Sequence, residues 1–187
     1  MFDYVSFRPE KASENSTRNF APQPQSVSPT RIAFIGSGGT ASASELVINA
    51  FTPFLHRNSA LIGTNTYGKP VGQIALDRAS CDDRLRVIAF ATQNAARQGA
   101  YFDGLAPFME SSCQAGDDLS HQLGDPLEAS TRSALDFLAG RSCSAIASSG
   151  QGAQAARQAS TANASVLREL LTPDRPTTPQ REVPGFF

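Results

Sequence analysis

Lysine is nearly missing from this chain. Of sixteen basic residues among 187, only Lys11 and Lys69 are lysines. Arginine keeps its proton at any working pH, whereas a desolvated lysine can release one. Any amine that shuttles protons must therefore be one of these two side chains. Long apolar runs are also missing: none approaches the ~18 residues needed to cross a bilayer, so no membrane span is expected. Met1 to Phe20 is polar and mixed in charge, without the apolar stretch of a signal peptide. If the working protein is exported, further sequence is expected upstream of Met1. Excess positive charge is absent, with a formal net charge of −1, which argues against nucleic acid or an anionic membrane as partner. Cysteine is scarce, at three residues, and histidine scarcer, at two. No CxxC or Cys/His spacing of a zinc site occurs, so neither metal nor cofactor is expected. Cys81, Cys113 and Cys143 read as three buried small hydrophobes, or else Cys113 and Cys143 form a disulfide that implies an oxidising compartment. The sequence leaves both open.

The chain is long enough for one core and a tail. Residues 1–30, rich in Ser, Pro, Asn and Gln, read as an irregular lead-in. Arg31-Ile32-Ala33-Phe34-Ile35 is a short apolar run typical of a strand buried on both faces. Gly36-Ser37-Gly38-Gly39 breaks it, and Thr40 to Phe51 has a helical stripe of Leu46, Val47, Ala50 and Phe51. Ser42 and Glu45 match a capping box, and Pro53 is expected to end or kink the helix. Strands are predicted at Ala60–Gly63, Val71–Leu76 and Leu85–Ala91, the last two joined by a turn at Asp82-Asp83. A loop-rich stretch over 99–126 leads to a helix with Asp125 as N-cap, Pro126 at its first position and Gly140 just past its end. From residue 144 the chain is low in complexity, with a short helical pattern over 160–171 and a Pro-rich end from Thr172. The order strand, helix, strands, helix is an α/β pattern. A buried-type strand at residue 31 with little before it looks like the second half of a sheet.

The turn around Ser42 fits none of the common nucleotide or esterase patterns. It lacks the Gly-Lys-Ser/Thr of a phosphate loop, the spacing of a dinucleotide fingerprint, and the flanking glycines of an esterase elbow. What remains is a serine at the start of a helix, where backbone N–H groups are unpaired and the helix dipole favours developing negative charge. The N–H of Ala43 can then serve an acyl oxyanion. A serine nucleophile needs a base. His56 follows a helix end, where a cap or a solvated residue is the ordinary role. His121 lies in a loop with no obvious orienting partner. Lys69, 27 positions beyond Ser42, is held between Gly68 and Pro70. Taken alone it fits a surface turn as readily as a cleft.

The segments Gly39-Thr40-Ala41-Ser42-Ala43-Ser44-Glu45, Ala60-Leu61-Ile62-Gly63, Thr66-Tyr67-Gly68-Lys69 with Gln73, and Gly104-Leu105-Ala106-Pro107 together resemble the core of the C-terminal processing (tail-specific) peptidases. The resemblance covers roughly residues 31–140. It implies the C-terminal half of a crotonase/ClpP-like α/β core, here residues 31–143. It also implies a serine endopeptidase in which Ser42 is the nucleophile, Lys69 the general base, Gln73 the residue that orients the amine, and Ala43 an oxyanion donor. A neutral amine near pH 7 is obtained by burying the lysine away from carboxylates, and a neutral glutamine fixes it without restoring the charge. The expected partner is a polypeptide substrate and the expected location periplasmic or cell-surface in a bacterium.

The departures are specific. The serine–lysine interval is slightly long, and Pro70 stands where a glycine is commoner. The family's peptide-binding PDZ domain and the first core half, with a strand-borne Asp-Leu-Arg…Gly-Gly segment that contributes the second oxyanion donor, have no counterpart in the sequence. The loss of one such donor costs ~10²–10³ in rate. The chain by itself is therefore expected to be a partial core whose activity needs its other half. A non-catalytic peptide-binding relative is the alternative. A crotonase-like acyl-CoA enzyme, related in architecture, is a further one, although no CoA-contact pattern is visible.

Overall fold

The structure, a computed structural model, describes residues 2–147. The expected helix over 160–171 and the Pro-rich end lie outside them. Within them the architecture is mixed α/β: strands β1 (Asp3–Phe7), β2 (Ser16–Arg18) and β3 (Ile32–Gly36), helix α1 (Ala43–Leu55), strands β4 (Ser59–Gly63), β5 (Val71–Arg78), β6 (Asp83–Gln93) and β7 (Ser112–Gln114), then helix α2 (Ala129–Leu138).

A parallel sheet of order β3-β4-β7 positions the site. Its middle strand β4 is buried at every residue, as a strand covered on both faces must be. Side chains alternate across it. Leu61, beside Phe34 of β3, packs with Ile48 of α1 and with Tyr101, Leu105 and Met109. Ala60 and Ile62 face Cys113 of β7 and Ala134 and Phe137 of α2. A helix thus packs on each face of the sheet, and this is why β4 reads as an apolar run. Strand β3, at the sheet edge, is only half-buried with Ile35 exposed, contrary to the expected strand buried on both faces. Cys113 and Cys143 are joined in a disulfide with a Cα–Cα distance of 5.4 Å, and Cys81 is a free, exposed thiol. Residues past Cys143 remain attached to the sheet: the Gln114 N–H donates to the Ser144 carbonyl at 2.8 Å, and the Ile146 N–H to Ser112 Oγ at 3.1 Å.

The second sheet is antiparallel, of order β2-β1-β6-β5. It corrects the expected irregular lead-in. Tyr4 to Phe7 pair with Gln93 to Phe90, and Asp3 pairs with Arg18, whose guanidinium holds the buried Asp3 carboxylate. Phe20 packs against Phe2, Phe51 and Phe54. The N-terminal strand is paired with a partner some 85 residues away in sequence, and its strand formers Tyr4, Val5 and Phe7 are hidden within a polar, Pro-rich lead-in.

Helix α1 continues through Pro53 and ends two residues later at Leu55, where His56, at φ 49°, stops it, so it ends near the proline as expected. The start of α2 differs from expectation. Asp125 is not the N-cap of α2. It accepts the Leu127 N–H at 2.8 Å within a turn, while Glu128 caps the helix by accepting from the Ser130 and Thr131 N–H groups at 2.9 and 2.6 Å. A carboxylate one bond longer, placed directly before the helix, satisfies two orphan donors at once. Gly140 stands past the helix end at φ 79°, as the sequence predicts.

Candidate active site

β3 ends at Gly36, and the chain turns through Ser37 to Thr40 into α1. The Thr40 N–H donates to the Ser37 carbonyl at 2.8 Å, and the Ser37 N–H to Thr40 Oγ1 at 3.0 Å. Ser42 follows as the N-cap of α1, with φ 54° and ψ −112°. A non-glycine residue in that region costs of order 1–3 kcal/mol and persists only where its surroundings over-determine it. Ala43 occupies the first helical position and is exposed. Its N–H has no partner within the helix by geometry alone.

The over-determining group is Glu45. Its side chain is completely buried, with 0% exposure, and its carboxylate accepts three backbone N–H groups. Oε2 receives Ser42 at 2.9 Å and Lys69 at 2.8 Å, while Oε1 receives Gly68 at 2.7 Å. Two nitrogens that share one oxygen at those distances lie no more than about 5.7 Å apart. Ser42 and Lys69, 27 residues apart in sequence, are therefore brought together at the level of the backbone. The sequence marks Glu45 only as half of a capping box. That it also reaches Gly68 and Lys69 could not be read from local spacing.

The loop carrying Lys69 is fixed from its other side. The Leu105 N–H donates to Thr66 Oγ1 at 2.8 Å, the Ala106 N–H donates to Asn65 Oδ1 at 2.9 Å, and Asn65 Nδ2 donates to the Asp103 carbonyl at 2.7 Å. The Tyr67 N–H donates to the Thr40 carbonyl at 2.9 Å. Gly68 has φ +90°, and a Cβ placed there would come within 2.2 Å of the Phe102 carbonyl oxygen, so the turn admits only glycine. The segments 39–45, 66–69 and 104–107, separate in sequence, thus form one hydrogen-bonded unit. Beneath it Tyr101 is buried and its hydroxyl is pushed up to about 12, first by desolvation, opposed by Thr92 and reinforced by the charge of Glu45.

Lys69 is half-buried, and among the described residues no carboxylate forms an ion pair with its ammonium. Among the same residues no direct hydrogen bond joins the Ser42 hydroxyl to the Lys69 amine. Contacts of this kind are often long before a substrate is bound. Gln73, half-buried on β5, sits beside an irregularity where the β5–β6 register shifts between Gly72 and Gln73. It makes no hydrogen bond to Lys69 among the described residues.

The histidines lie elsewhere. His56 caps the end of α1, with Nδ1 2.8 Å from Glu110 Oε1. His121 does have a partner, contrary to expectation: Nδ1 lies 3.1 Å from Asp118 Oδ2 and 3.0 Å from Ser120 Oγ. A serine–histidine–aspartate triad uses the two ring nitrogens for different partners, and here one nitrogen faces both, so this cluster is an exposed loop clip. Hydrogen bonds from Ser120 hold the Asp118 carboxyl down at about 2. No group of His, Cys, Asp and Glu capable of holding a metal ion occurs among the described residues.

No protein-family model matches the chain. No curated protein sequence matches it either. Among solved structures it is similar to a protein described as "Putative S41 protease" from Bacteroides fragilis NCTC 9343, with a TM-score of 0.62 and 21% identity. The likeness covers 74% of this chain and 36% of the other. The chain therefore has an S41-protease-like α/β fold and spans about a third of the length of that structure.

Proposed function

We propose that the chain carries the nucleophile and base of a serine–lysine endopeptidase of the tail-specific type, on part of a crotonase/ClpP-like core. The observation that supports this most is the shared Glu45 oxygen, which holds the backbones of Ser42 and Lys69 side by side. In this reaction Ser42 Oγ attacks the carbonyl carbon of a peptide bond while its proton passes to the neutral amine of Lys69. The carbonyl oxygen becomes an oxyanion facing the N–H of Ala43 at the α1 N-terminus. Collapse expels the amine half of the substrate, which takes the proton from Lys69 and leaves an acyl ester on Ser42. Water, deprotonated by Lys69, then frees the acid half and restores the serine. Gln73 orients the amine once substrate closes the site. The S41-like fold and the strained backbone at Ser42 agree with this role, since strain collects at nucleophiles.

The substrate is a polypeptide, and the fold's other core half and a peptide-binding PDZ domain are the partners proposed to complete the machinery. The Cys113–Cys143 disulfide agrees with a periplasmic or cell-surface location, where oxidising conditions preserve such bonds.

The test is covalent labelling. A fluorophosphonate probe is incubated with the chain alone and with the chain joined to an S41 first core half, and the adduct is located by mass spectrometry. The expected result is a Ser42 adduct lost in Ser42→Ala and slowed at least ~10²-fold in Lys69→Ala. Labelling and proteolysis that survive both substitutions overturn the assignment. A structurally intact protein that binds peptides but never labels supports the non-catalytic alternative.

A further inference from the structure

A cavity of about 320 Å³ opens at the C-terminal ends of β3 and β4. Ligands of open α/β sheets collect at that edge, and the size stands near the lower end of the ~300–1,000 Å³ range of ligand sites. One wall is Gly36, Ser37 and Thr40, from the turn that delivers Ser42. Another is Gly63 and Thr64, from the strand end that leads to Lys69. The start of α2 closes it with Glu128 and Ser130. The cavity thus adjoins the two segments that deliver Ser42 and Lys69, and none of its residues has a part in the steps above.

Its charge is one-sided. Asp117 and Glu128 both line it, and among the described residues no lysine, arginine or histidine does. Glu128 is held below the ordinary carboxylate range by the Ser130 and Thr131 N–H groups, so it is ionised at neutral pH. Those same bonds occupy the N–H groups that an anion would otherwise find at a helix N-terminus. An acidic side chain or a terminal carboxylate of the substrate would meet two carboxylates and a capped helix. A cationic side chain would meet favourable charge at its tip, with Ile35, Ala115 and Leu123 available to cover its methylene stem.

We propose that this cavity is a specificity pocket for the arginine or lysine side chain of a substrate residue next to the cleaved bond, a proposal that rests on the peptidase function above. N-acetyl-arginine amide, N-acetyl-norleucine amide and N-acetyl-glutamate amide are each titrated into the ¹⁵N-labelled chain while the backbone amide signals are followed. The arginine amide binds about fivefold more tightly than the norleucine amide, the glutamate amide binds more weakly than either, and the shifts centre on Ser37, Thr64 and Ser130. Asp117→Asn removes the arginine advantage, in line with the modest worth of a partly solvated ion pair. Equal binding of arginine and norleucine amides, shifts centred elsewhere, no shift with any amide, or an arginine advantage that survives Asp117→Asn each overturns the pocket. Fluorophosphonate labelling is scored separately. A labelled Ser42 without cation preference defeats the pocket alone, whereas cation binding mapped to the cavity beside a Ser42 that stays unreactive even when the chain is joined to an S41 first core half upholds the site and defeats the peptidase assignment.

Discussion

Glu45→Gln is the most demanding test of how the site is built. The substitution keeps the shape of the side chain and changes only its acceptors. The carboxylate serves three N–H groups through two oxygens, Ser42 and Lys69 on Oε2 and Gly68 on Oε1. A glutamine amide has one oxygen, so at least one buried N–H must face an NH₂ group. An orphaned buried donor costs roughly 1–3 kcal/mol, and bonds to a charged acceptor that become neutral lose about half of their ~1.5–3 kcal/mol. Burying a neutral amide is easier than burying a charge, which offsets part of this. The net expectation is a loss of about 2–4 kcal/mol. For a chain of this size that lowers the midpoint by roughly 5–15 °C. Thermal unfolding followed by circular dichroism measures it, and the amide resonances of Ser42, Gly68 and Lys69 should all move. A variant whose midpoint stays within about 1 °C, with those three resonances unmoved, would refute the clamp.

Three other outcomes follow from the same structure. Cys113→Ala with Cys143→Ala, or reduction of the native chain, opens a loop of sequence separation 30; chain entropy sets the loss at about 3–4 kcal/mol, read as a lowered denaturant midpoint. Gly68→Ala forces a side chain to φ +90° against the Phe102 carbonyl, at roughly 2–5 kcal/mol, and should abolish Ser42 labelling even where the chain still folds. Asp118, depressed to about 2 chiefly by Ser120, stabilises the fold above the ordinary carboxylate range of about 4. That contribution disappears as pH falls from about 4 to about 2, and an acid titration of Ser120→Ala, which keeps its backbone N–H to Asp118, should show this step reduced.

The sequence carried the parts of the fold that depend on local pattern. Ser59–Gly63 is buried on both faces and so reads as an apolar run. Ile32–Gly36 reads the same way although, at the sheet edge, it is only half-buried and Ile35 is exposed; α1 declares itself by a stripe, and α2 by its closing glycine. What it concealed depends on partners distant along the chain. Asp3–Phe7 pairs with β2 and β6, and although Tyr4, Val5 and Phe7 favour strands, the Ser-, Pro-, Asn- and Gln-rich sequence that follows hid this short segment. Asp125 looked a better cap than Glu128 because Pro126 follows it, yet two N–H groups at the helix start chose the longer carboxylate. At the candidate site, motif and resemblance single out Ser42 and Lys69 as candidates, whereas the reach of Glu45 to a loop 23 and 24 residues away was not legible.

That reach bears on a tension in the proposed chemistry. A lysine acting as the proposed general base is best kept from carboxylates, yet a buried glutamate is bonded to the Lys69 backbone. The acceptor capacity of Glu45 is taken up by three N–H dipoles, two from the lysine loop and one from the serine, and among the described residues no ion pair to the lysine ammonium remains. The negative charge is thereby spent on geometry. It holds Ser42 in a left-handed conformation that a serine would not keep unaided and sets the lysine loop beside it. A glutamine at residue 45 would leave less charge near the amine but a looser serine. If geometry dominates, Glu45→Gln slows Ser42 labelling in step with the disturbance of the Ser42 and Lys69 amides. If the charge were the governing factor, labelling would instead quicken, and the clamp would have to be regarded as a brake on the reaction.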